Sequence, residues 1–91
     1  MFTDLFLKND KLSLPMRVWA AHVNACVAND GAATCLPTAE VLRVLGIDVT
    51  GPNKDLVASA RQALAKKGLL VAEQVSDADA GFYGWKHLAK W

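Results

Sequence analysis

Two histidines and two cysteines, His22, Cys26, Cys35 and His87, are the residues of this chain with the most chemistry open to them. Two imidazoles and two thiols are the donor set of a structural zinc site. His22 and Cys26 stand one helical turn apart, but the Cys-x-x-Cys spacing of such sites is missing, and both fall within an apolar helical arc. A core histidine beside a buried thiol is the favoured reading, so no metal and no cofactor are expected. Neither histidine has an evident nucleophile partner. A Gly-rich phosphate loop, a nucleophile elbow and a pair of acids on a common face are all absent. No catalytic residue is assigned, and the chain is not expected to be an enzyme.

A second group of residues suits binding. Between residues 53 and 68, Lys54, Arg61, Lys66 and Lys67 face Asp55 alone, a net charge of +3. On one outward face Lys54 and Lys66 suit phosphates, while Ser59 and Gln62 suit base edges, Gln favouring adenine. Asn53 heads the same segment. Thr38, with the free amides at the start of its own helix, is a candidate for holding a phosphate. Asp55, Ser59, Gln62 and Lys66 also read simply as a solvated helix face. Arg61 lies near the apolar arc and reads as snorkelling along helix packing or as paired with an acid. From 71 to 81, Glu73, Asp77 and Asp79 have no basic neighbour, a net charge of −3. With the alternating Phe82, Tyr83 and Trp85, Asp77 and Asp79 form a candidate protein interface, while the default reading of the aromatics is that they cover the core between helices and hairpin.

The elements that position these residues follow from composition and periodicity. A 91-residue chain that is 53% hydrophobic and 21% charged reads as one globular domain, residues 1–91. No apolar run approaches the ~18 residues of a membrane span, so no membrane partner is expected. Met1-Phe2-Thr3-Asp4 lacks the basic start of a secretion signal, which points to the cytoplasm and to reduced thiols. Residues 1–11 read as a lead-in whose Phe2, Leu5, Phe6 and Leu7 offer apolar surface to the domain or to a second copy.

Ser13 caps a first helix over 13–28, with Leu14, Val18, Ala21 and Ala25 on its apolar arc, Trp19, Val23 and Cys26 extending it, and Arg17 and Asn24 on the wet face. A second helix over 37–45 takes Thr38 as N-cap, buries Val41, Leu42 and Leu45, and stops at Gly46. A cap at Asp48 would put Pro52 at the fourth helical position, so the third helix is predicted over 53–67, with Leu56, Val57, Ala60 and Leu64 as its core stripe. Residues 69–88 then form a β-hairpin.

The phrases Leu12-Ser13-Leu14, Val18-Trp19-Ala20-Ala21, Asn29-Asp30-Gly31, Leu36-Pro37-Thr38, Leu45-Gly46-Ile47 and Leu64-Ala65-Lys66-Lys67-Gly68-Leu69 occur in a telling order. In that order they resemble the N-terminal winged-helix domains of phage and plasmid replication initiators and of small regulators from mobile elements. The likeness covers roughly residues 12–75. It implies an α+β winged helix-turn-helix, with three helices packed on a C-terminal two-stranded wing. It also implies a DNA-binding transcriptional regulator or replication protein, with the third helix in the major groove of double-stranded DNA and a homodimer for tight specific binding. The chain departs from the family pattern by inserting Asp48-Val49-Thr50-Gly51-Pro52 and by its acidic wing tip. These departures suit an alternative, a winged-helix module that binds or inhibits a protein partner through its acidic and aromatic wing and does not bind DNA.

Overall fold

A computed structural model describes residues 1–77 and 82–91, and the side chains of all of these except 74–77 and 82–84. Four helices precede a two-stranded antiparallel sheet: α1 (Asp4–Leu7), α2 (Leu14–Ala28), α3 (Thr38–Val44), α4 (Gly51–Lys66), β1 (Leu70–Asp77) and β2 (Phe82–Ala89). The domain is thus α+β, with one helix more than the sequence predicts. The addition lies in the lead-in, where Thr3 accepts a hydrogen bond from the Phe6 amide and starts a single turn. Four residues are too few to display helical periodicity, which hides α1 from a pattern search.

That turn docks on α2. The Phe2 amide donates to Asn24 Oδ1, and Asn24 Nδ2 donates back to the Phe2 carbonyl, both at 2.9 Å. The Phe2 ring lies 4.7 Å from Phe6 and edge-on to Trp19 at 5.3 Å. The docking corrects the expectation that Arg17 faces water. Its side chain is buried, with Nε donating to the Leu7 carbonyl at 2.8 Å and Nη2 to the Leu45 carbonyl at 2.9 Å. Both carbonyls sit at helix C-termini, where the helix supplies no partner of its own. Lys8 also crosses the turn after α3. Gly46 there takes φ +71, and its missing Cβ leaves room for the Lys8 stem, 3.3 Å from where that atom would stand.

α3 and α4 start elsewhere than predicted. Pro37, not Thr38, is the N-cap of α3, and the cap makes no side-chain hydrogen bond. Thr50 caps α4 by accepting from the Asn53 amide at 3.2 Å, so the helix opens at Gly51 with Pro52 in its first turn. Proline is tolerated there because its missing N–H has no helical acceptor to lose. Val57, Ala60 and Leu64 of α4 join Val18, Ala21, Cys26, Val41, Leu42 and Leu45 in one core, closed below by Leu70 and Ala89. Leu56 does not join them: it is 54% exposed, a correction to the predicted stripe.

The hairpin register pairs Leu70 with Ala89, Ala72 with His87 and Gln74 with Trp85. On its other edge β2 is bridged by Thr34, which exchanges two 3.0 Å backbone bonds with His87. The α2–α3 connection therefore lies beside β2 as a one-residue third strand. Among the described residues, no helix is long and apolar enough to cross a membrane.

Candidate functional site

Alternation along a strand puts Ala72, Trp85 and His87 on one face of the hairpin. Helical spacing puts Ala58, Arg61 and Gln62 on one face of α4. These faces oppose each other across a cleft of about 680 Å³, completed by Cys35, Leu36, Pro37 and Thr38 at the head of α3. Trp85 is half exposed at the cleft wall.

Arg61 organises the floor. Its Nε donates to His22 Nε2 at 3.1 Å, Nη1 to the Thr38 hydroxyl at 2.9 Å, and Nη2 to the Leu36 carbonyl at 2.5 Å. It thereby ties α4 to α2 and to the start of α3. Among the described residues no acid pairs with it, and the one ion pair is Arg43–Glu40 at 3.3 Å. Of the two readings the sequence left for Arg61, the acid-paired one finds no partner among the described residues. Its partners are neutral acceptors, and a sequence search for charge complements passes over them. Residues three and four away on α4, Val57, Ala58, Leu64 and Ala65, include no acid, and that was the signal available.

A guanidinium keeps its protons, so the bond to His22 Nε2 requires that nitrogen to be bare and places the imidazole N–H on Nδ1. His22 is pushed down to about 3, first by burial and then by the neighbouring Arg61 and His87. His87, whose ring centre is 4.8 Å from that of His22, is lowered to about 4 by burial and then by Arg61. Both are held neutral. Burial likewise works against the charge of Arg61, with Cys35 acting the other way. His87 Nδ1 is buried without a hydrogen-bond partner among the described residues. The Cys26 thiol donates to the His87 carbonyl at 3.4 Å. His22 and Cys26 are both buried. Among the described residues, no three of the His, Cys, Asp and Glu side chains are grouped to hold a metal.

The predicted site residues divide. Thr38 and Gln62 meet at the cleft, Thr38 with its hydroxyl accepting from Arg61. Lys54, Ser59, Gln62 and Lys66 are all exposed along α4. Asn53 is drawn into the preceding turn, its Nδ2 donating to the Asp48 carbonyl at 2.9 Å. Of the hairpin set, Trp85 borders the cleft, Asp79 lies outside the described residues, and so do the side chains of Asp77, Phe82 and Tyr83. Comparison with protein-family models, with curated proteins and with solved structures gives no match.

Proposed function

We propose that the domain is a winged helix-turn-helix that binds double-stranded DNA. In this reading α3 and α4 are the helix-turn-helix, α4 enters the major groove, and the β1–β2 hairpin is the wing. The observation that carries it is the outward surface of α4. Lys54, Ser59, Gln62 and Lys66 are exposed, and neither lysine makes an ion pair among the described residues. Two exposed cations flanking short polar groups suit phosphates on either side of base edges. The Thr34–His87 bridge adds support, since it fastens the hairpin to the segment leading into α3. The sequence resemblance favours a repressor-like or replication-linked regulator of a phage or other mobile element. A homodimer follows from the small surface that one such module buries.

Fluorescence anisotropy with random duplex DNA tests the reading. Micromolar binding that weakens steeply with salt is expected. Lys54→Glu with Lys66→Glu should abolish it or flatten the salt slope by about 2, roughly one per lost phosphate contact. The exposed indole of Trp85 favours a second reading, in which the hairpin is a protein interface. Absence of DNA binding at low salt would leave that reading standing alone.

A further inference from the structure

We propose that the cleft between α4 and the hairpin binds a small monoanionic organic carboxylate with a flat apolar body, its carboxylate on Arg61 and its body against Trp85. The charge balance argues for an anion. The guanidinium of Arg61 is half-buried, its three bonds go to neutral acceptors, and no carboxylate is found among the described residues that line the cleft. A cation withdrawn from water without a counter-ion is unfavourable, and an incoming anion relieves that cost. Guanidinium carries five donors, so about two remain for a ligand after those three bonds. Thr38 accepts from Arg61 and keeps its own O–H to donate, and the Gln62 amide stands beside them. Every one of these polar groups can give a hydrogen bond to an oxyanion.

The walls argue for the body. Ala58 on α4 and Ala72 on β1 line the cleft with short side chains that leave it open, and Trp85 offers a broad aromatic surface. One cation among apolar walls matches a monoanion with an apolar body better than it matches a phosphate, which carries more charge and no such body. A volume of about 680 Å³ is that of a small-molecule pocket. The proposal does not depend on DNA binding.

NMR titration of the whole chain without DNA, using naphthoate as the probe, tests it. Saturable shifts of the Trp85 indole N–H and the Arg61 Nε–H are expected at sub-millimolar to millimolar concentration. Naphthalenemethanol, the same body without the charge, should bind at least about tenfold more weakly. Ala58→Leu fills the cleft from an exposed position and should weaken naphthoate about tenfold while leaving distant signals in place. Arg61→Gln should do the same wherever it folds. Inorganic phosphate should give no saturable shift. Equal binding of the acid and the alcohol, indifference to Ala58→Leu, a phosphate response equal to that of naphthoate, or no saturable shift would each overturn the proposal.

Discussion

With its Nε–H aimed at His22, Arg61 fixes the tautomer of one buried imidazole and opposes protonation of two. The unfolded chain has no such constraint, and its histidines titrate near 6.5. Between that value and about 4 for His87, or about 3 for His22, the unfolded chain binds protons that the folded one refuses. Stability from these groups is therefore complete above pH ~6.5 and declines as the pH falls, approaching ~1.4 kcal/mol per pH unit for each histidine. Urea denaturation at pH 7.5, 6 and 5, still above the carboxylate range, should show the midpoint dropping at each step. A midpoint flat from 7.5 to 5 would contradict the neutral pair. The sequence placed His22 and Cys26 in the core because helical spacing reports burial. It was silent on Arg61–His22, because a neutral acceptor 39 residues away leaves no mark in local charge pattern.

Helix boundaries turn on single caps, and Thr38 and Thr50 make the contrast plain. Thr50 spends its hydroxyl on the Asn53 amide and starts α4, whereas Thr38 lies inside α3 and its hydroxyl serves Arg61. Thr50→Ala should therefore remove a cap at a cost of about 1 kcal/mol, lowering Tm by on the order of 4–8 °C. Thr38→Ala should remove no cap. Its effect should appear as a changed environment at Arg61 and His22, read from their side-chain NMR signals, and a cap-sized loss of α3 helicity would contradict that assignment. The interiors of α2, α3 and α4 were legible because Val18, Val41 and Val57 recur with the apolar period and all three are fully buried. The ends were less so. Thr-Gly-Pro-Asn admits more than one start, and only the hydrogen bond to Asn53 distinguishes them. Leu56 was misplaced because a stripe drawn by periodicity says which residues share a face, not how far the neighbouring elements extend over it.

At the scale of the whole chain, long-range polar ties fasten the outlying segments to the helical core. The Trp19 indole donates to the Lys90 carbonyl at 2.8 Å, and Asn24 holds the backbone of Phe2, so both chain ends are fastened to α2. Such ties are invisible to hydropathy, which reads Arg17 and Asn24 as solvent-facing because they are polar. The hairpin was recognisable from its alternation, but its bridge to Thr34 was not, since one residue of pairing has no period. Arg17 is the most consequential of the ties, because its two bonds join α1, α2 and the end of α3 at one buried point. Replacing it with methionine keeps the length and apolar stem of the side chain while leaving the Leu7 and Leu45 carbonyls without this donor. Each of the two bonds to a charged donor contributes about 1.5–3 kcal/mol, so Arg17→Met should cost on the order of 3–6 kcal/mol and lower Tm by at least about 12 °C. Hydrogen exchange separates the two ends of that effect. Protection should fall first at the α1 amides that report docking of the lead-in, with α4 following only as global stability drops. A fully stable Arg17→Met variant would mean that packing of Phe2 and Phe6 on Trp19 holds the lead-in without the buried guanidinium.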